Sequence, residues 1–222
     1  MISNDDVAAV QVFPPDAVAS YTEAVAAAVA CRSIMLHDAY AHLALRAATL
    51  AAAAERLVRA LREGHKVLVA GNGGSAAEAQ HFAAELVGRF KRERAPYAAL
   101  ALTTDSSILT AIANDYGYAD VFARQVLGLG QPGDVLIAYS TSGESENLVR
   151  AAQAARSRQM TVIAVTGERR NRLERQADVA LHIPLTDTAV VQELQMAVTH
   201  ILCDIAEAEL ARTGGVAEGV VH

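Results

Sequence analysis

The chain has 222 residues, 52% of them hydrophobic and 20% charged, with a mean hydropathy of +0.20. This suffices for one large domain, or one domain with a helical appendage, and excludes a chain disordered throughout. Lys and Arg total 19 against 25 Asp and Glu, a formal net charge of −6, which argues against a protein built to grip a nucleic-acid backbone.

Cys31 and Cys203 cannot form a disulfide framework, which fits a reducing compartment. The opening Met-Ile-Ser-Asn-Asp-Asp carries two acids and no basic stretch, unlike a secretion signal. The apolar stretch at 24–31 falls far short of the ~20 residues that span a bilayer. The sequence thus predicts a soluble, cytoplasmic protein with neither membrane nor nucleic acid as partner. Residues 1–15 end in Pro14-Pro15 and are expected to form a loose arm. Residues 16–62 lack Gly and Pro and are rich in Ala and Leu, which predicts two helices with a break near 32–37. Leu43, Leu45, Leu50, Leu57 and Leu61 supply an apolar face that packs on the main domain or on another copy. We therefore divide the chain into residues 1–62, an arm and helices serving oligomerisation, and a main domain at 63–222.

From residue 64 onward, short apolar runs at 66–70, 97–102, 134–139, 160–165 and 179–183 alternate with segments expected to be helical. Strands apolar along their whole length, each followed by a turn and a helix, indicate a parallel sheet covered on both faces. Ligands then sit at the C-terminal strand ends. Gly71-Asn72-Gly73-Gly74-Ser75 follows the first run; its glycines let the backbone approach a ligand, and Ser75 is placed to cap the next helix. Such a helix start favours an anion, although the loop has neither Walker A nor GxGxxG spacing. Ser140-Thr141-Ser142-Gly143-Glu144-Ser145 follows the third run and offers a second, hydroxyl-rich phosphate cradle. Glu144 is an awkward neighbour for phosphate, so its carboxylate should turn away or pair with a cation.

His81 and Glu85, at i and i+4, share one helix face and suit either one metal or acid–base work. Gln192 and His200 lie eight apart on the last helix, ~12 Å along its axis, too far for one ion unless the side chains converge or Gln192 precedes the regular helix. Asn114-Asp115-Tyr116-Gly117 reads either as a turn with an Asx cap or as a contact to a sugar hydroxyl.

Taken together, the 71–90 stretch GNGGSAAEAQHFAAELVGRF, the run Ala113-Asn114-Asp115-Tyr116-Gly117, Ser140-Thr141-Ser142-Gly143, Thr166-Gly167 and Gln192-Glu193…His200 closely resemble the phosphoheptose isomerases, which carry a sugar isomerase (SIS) domain. The likeness covers about residues 50–210. It implies a flavodoxin-like three-layer αβα sandwich with a five-stranded parallel sheet and N-terminal helices, assembled as a homotetramer with active sites between subunits. It also implies isomerisation of sedoheptulose 7-phosphate to a heptose 7-phosphate through an enediol. By position, His81, Glu85, Gln192 and His200 match a Zn²⁺ site, and Glu85 and His200 the acid–base pair. Asn72, Gly73, Gly74, Ser75, Arg89, Asn114, Asp115, Ser140, Thr141, Ser142, Ser145 and Gln192 match the substrate-binding set. The family usually has Asn at Glu144, a basic residue at Val190 and His at Gln195, departures that bear on which sugar phosphate is used. A non-catalytic relative that docks a replication-initiator protein typically lacks the acid at 85 and the His at 200, and both are present here. A DNA-binding sugar-phosphate sensor would need a basic helix that residues 16–62 do not supply. Arabinose 5-phosphate isomerases share a Ser-Gly-Glu-Ser loop like 142–145, but the 71–90 stretch fits the heptose enzymes better.

Overall fold

The computed structural model describes residues 15–213, so most of the expected N-terminal arm lies outside the described residues. The element order is α1 (Pro15–Ala44), α2 (Ala47–Arg62), β1 (Val67–Gly71), α3 (Gly74–Val87), β2 (Ala99–Ala101), α4 (Ser106–Tyr116), α5 (Ala123–Leu129), β3 (Val135–Ser140), α6 (Glu146–Ser157), β4 (Thr161–Thr166), β5 (Val179–His182) and α7 (Thr188–Thr213). The chain divides into two compact units, residues up to Asp38 and residues from Ala39 onward, so α2 belongs to the unit that carries the sheet.

All strand pairs are parallel, in the order β2-β1-β3-β4-β5. The central strands β1 and β3 are buried along their whole length and the edge strands β2 and β5 only in part, as expected of a sheet covered on both faces. Side chains alternate between the two faces. Leu68, Ala70, Leu136, Ala138, Val162 and Ala164 join Phe122 and Val126 of the α5 region and Leu148 and Ala152 of α6 in one core. On the opposite layer α7 packs against both α2 and α3. The predicted three-layer, flavodoxin-like sandwich is therefore present. Strand order reverses between β1 and β3, and in such sheets the ligand crevice opens at that point, beyond the C-terminal strand ends.

Two local expectations are corrected. No break occurs at 32–37, where neither Gly nor Pro stops the helix; the chain turns at Leu45-Arg46 through short Arg46 N→Leu43 O and Thr49 N→Arg46 O bonds of 2.9 Å. That turn leaves Leu45 84% exposed but lets Leu43, Leu50 and Leu57 all be buried. The run at 160–165 is followed by a loop with a short 3-10 turn at Glu174–Gln176 instead of a helix. Leu173 is the fully buried apolar anchor of this arginine-rich loop, which has no apolar face to lay on the sheet.

Candidate active site

The two loops expected to bind an anion flank the switch point and are tied across it. Asn72, after β1, and Asn147, in the first turn of α6, exchange amide bonds of 2.9 and 2.8 Å, and Tyr118 Oη donates to Asn72 Oδ1 at 3.0 Å. Nothing in the sequence pattern marks Asn147 as a partner of Asn72; only the β1–β3 adjacency does. The helix after the first loop is capped at Gly73, not by Ser75, whose hydroxyl is buried and donates to Gln195 Oε1 at 2.8 Å. Gln195 donates in turn to the Val165 carbonyl at 3.1 Å. The Gln192 amide packs on Gly74, where a Cβ would lie 2.5 Å from Gln192 Nε2 and push that side chain away.

In the second loop, Ser140 Oγ accepts the Gly143 N–H at 2.9 Å and Ser142 Oγ the Glu144 N–H at 3.2 Å. Ser145 is the residue before α6, without a side-chain cap bond, and Thr141 and Ser142 line a cavity. The Glu144 carboxylate does turn aside, accepting the backbone N–H of Arg172 at 3.0 Å. Asn114 and Asp115 form the exposed last turn of α4 and bond to each other at 2.8 Å. They are not a turn with an Asx cap; the cap on α4 is Asp105, which accepts from Ile108 N. Arg89 is exposed and lies 3.6 Å from Glu93. Val190 is 1% exposed, so position 190 faces the interior.

On the opposite layer α3 packs against α7 and brings His81, Glu85 and His200 together. His81 Nε2 lies 3.0 Å from His200 Nε2 and 3.1 Å from Glu85 Oε1, and the three ligand atoms all fall within 4.8 Å of one another. A single imidazole N–H serves both neighbours only as a shared three-centre bond, with His200 Nε2 unprotonated and Glu85 as the second acceptor. A cation between the three takes the place of that shared proton. In a tetrahedral centre with metal–nitrogen bonds of ~2.0 Å, neighbouring ligand atoms stand ~3.3 Å apart, close to the two His81 separations, with the third pair inside 4.8 Å. The donor set therefore fits a metal, and two His with one Glu leave a fourth position open. The Gln192 amide lies against Gly74, seven residues and ~10 Å of helix rise before His81.

Phe90, unremarked by spacing, stacks on the His200 ring at 5.3 Å between centroids with 25° between planes. It is held from below by Glu207, whose buried carboxylate accepts the N–H groups of Phe90, Lys91 and Arg92 at 2.7, 2.8 and 3.0 Å and pairs with Arg94 at 3.0 Å. Burial pushes the Glu207 carboxyl up, but these N–H groups and the Arg94 charge outweigh it and hold it below the usual range. Glu78, one turn before His81, is 5% exposed with Oε2 unpartnered, and burial raises it to about 8. Burial, then the nearby Glu85 and Glu207 carboxylates, push the Cys203 thiol up to about 12, so it is unreactive.

A family model described as the SIS domain matches residues 30–167. A phosphoheptose isomerase of Bradyrhizobium is 51% identical over 177 residues, 78% of this chain and 89% of that one. One from Thiobacillus denitrificans is 54% identical over 160 residues, 71% and 81% of the two chains. The solved phosphoheptose isomerase GmhA from Neisseria gonorrhoeae superposes with a TM-score of 0.77 at 42% identity, over 85% of this chain and 99% of that one. The chain belongs to the phosphoheptose isomerase family. As a family member it is an aldose–ketose isomerase, and the trio at the α3–α7 contact, not the loops alone, is its chemically distinctive feature. No described helix is long and apolar enough to cross a membrane.

Proposed function

We propose that the protein converts sedoheptulose 7-phosphate to D-glycero-D-manno-heptose 7-phosphate, or to an epimeric heptose 7-phosphate. The observation that carries this reading is the convergence of His81, Glu85 and His200 within 4.8 Å, in a fold shared with phosphoheptose isomerases over most of its length.

The reaction moves a proton between C1 and C2 through an enediol, and needs a base, an acid and a stabiliser for oxyanion charge. Glu85 and His200 are the acid–base pair. Stacking on Phe90 fixes the imidazole plane of His200, and the i, i+4 spacing keeps Glu85 beside His81. Asn72, Asn114, Asp115 and the 140–145 loop hold the sugar and its phosphate. His81, Glu85 and His200 would hold Zn²⁺, which when bound supplies Lewis acidity toward the sugar carbonyl.

The same reading makes the protein a homotetramer with active sites between subunits, residues 1–62 serving assembly. Support comes from α1, where Val18, Tyr21, Val25, Val29 and Ile34 are exposed, and from the offset along α3 between Gly74, against which Gln192 rests, and His81, which a second copy supplying Gln192 would bridge. Two cysteines without a disulfide support a cytoplasmic setting. NMR observation of sedoheptulose 7-phosphate turnover, with and without a chelator, tests the reaction. No conversion by the untreated protein would refute it. Light scattering tests the assembly, and a monomeric mass refutes it.

A further inference from the structure

The C-terminal edge of the sheet holds a cavity of about 290 Å³ between the β3–α6 loop, the β4–β5 loop and the residues leading into α7. Its walls include the hydroxyls of Thr141, Ser142 and Thr188, the carboxylates of Glu144 and Glu168, and Arg169 and Arg170. Arg172 bonds Glu146, Arg150 bonds Asp120 and Glu146, and Arg156 lies 3.5 Å from Asp178, while the exposed Arg175, further along the same loop, does not line the cavity. Among the described residues, the guanidinium groups of Arg169 and Arg170 have no ion pair and no hydrogen bond. Two adjacent cations left unpaired on a cavity wall, in a chain of net charge −6, call for an anion.

The loop carrying them is held in place. The N–H of Gly167 donates to Thr141 O at 3.2 Å, that of Leu173 to Gly143 O at 3.0 Å, and that of Arg172 to Glu144 Oε1 at 3.0 Å. Gly143 has φ +68°, and a side chain there would collide with Asn171. The arginine-bearing loop and the hydroxyl-bearing loop therefore form one rim. Guanidinium groups match phosphate oxygens in geometry and keep their charge at any working pH. The Arg172 N–H holds the Glu144 carboxylate aside from the hydroxyls of its own loop, and Glu144 and Glu168, both lining the cavity, are acceptors suited to hydroxyl groups.

We propose that Arg169 and Arg170 bind the phosphate of a sugar phosphate whose hydroxyls meet the two carboxylates, and so set affinity for the phosphorylated end of the substrate. This rests on the isomerase reading and names residues that reading does not use. They act on binding rather than on proton transfer, because the acid–base pair lies on α3 and α7 and not on this rim.

The test compares the full chain with the double variant Arg169→Ala/Arg170→Ala and its Arg→Lys counterpart, after thermal melts confirm folding. The alanine variant is expected to raise KM for sedoheptulose 7-phosphate at least ~10-fold with kcat within ~2-fold, and the lysine variant to recover part of the loss. Raising ionic strength should increase KM for the wild type more than for the alanine variant, since exposed charge interactions are screened. An unchanged KM overturns the proposal while leaving the isomerase intact. Should the wild type not turn over the heptulose phosphate, the isomerase reading fails, and calorimetric titration with inorganic phosphate decides the arginines separately. Binding weakened at least ~10-fold in the alanine variant supports them; equal binding, or none to either protein, overturns them.

Discussion

Two polar clusters sit seven residues apart on α7, and they are built to opposite ends. Glu207 is buried and saturated: three backbone N–H groups and the Arg94 guanidinium take up its oxygens. His200 is half-buried and frustrated, facing His81 Nε2 at 3.0 Å while Glu85 competes for the same nitrogen. A fully satisfied buried charge locks a segment, here 90–94. A cluster in which three ligand atoms share one proton is suited to accept a cation in its place. Chemistry is found where satisfaction is thinnest, not where charge is densest.

The largest effect that separates the two clusters is on stability. Glu207→Ala leaves four donors without their acceptor and is expected to cost ~3–5 kcal/mol, read as a lower urea midpoint. A loss under ~1 kcal/mol would show that the saturated cluster does not lock the segment. Because the folded carboxyl is held low, its contribution is complete above the ordinary carboxylate pKa of 4.5 and fades as pH falls below it through the depressed folded value. Acid unfolding of Glu207→Gln should lack that component.

Next comes the loss of chemistry with folding intact. Glu85→Gln and His200→Ala should each lower turnover at least ~100-fold, or ~2.7 kcal/mol of activation free energy, with melting temperatures near wild type. Purified variants with near-normal activity would remove the trio from the mechanism. Removal of metal by a chelator should reduce turnover at least ~10-fold, restored by Zn²⁺; full activity in protein shown metal-free by elemental analysis would break the link between the shared proton and a cation.

The smallest effect concerns Glu78, which belongs to neither extreme. With its folded pKa raised to about 8, the native state holds a proton that the unfolded chain releases near 4.5. Stability from this group is therefore complete below pH 4.5 and declines as pH rises toward 8. Glu78→Gln should flatten that decline and leave the variant ~1–2 kcal/mol more stable than wild type at pH 8. Parallel pH profiles would mean that the carboxyl is charged and satisfied in solution.

The sheet was legible because apolar runs without internal polar residues have few other uses, and all five strands fall within the predicted runs to within a residue or two. Helix ends were not. The break after Ala44 has no Gly or Pro to announce it and follows from how Leu43 and Leu50 are buried. His81 and Glu85 could be paired from spacing alone, since i and i+4 meet on any helix. His200 could be joined to them only through resemblance, because nothing local indicates that α7 crosses α3 at that residue. Phe90, Asn147 and Gln195 escaped for the same reason: each matters through a contact distant in sequence. Nothing in the sequence singles out Arg169 and Arg170, which fall where a helix is expected; their lack of partners is visible only in the structure.

The strap from Glu207 to the backbone of Phe90, Lys91 and Arg92 closes a loop of more than a hundred residues from near the end of the chain. Chains emerge from the ribosome N-terminus first. The strand framework can thus form early, but neither Phe90 nor His200 reaches its working position until α7 has been released. Because α7 also buries Val191, Leu194, Val198 and Leu202, a chain cut within it would lose one layer of the core together with His200, so completing the fold and completing the trio are the same late event.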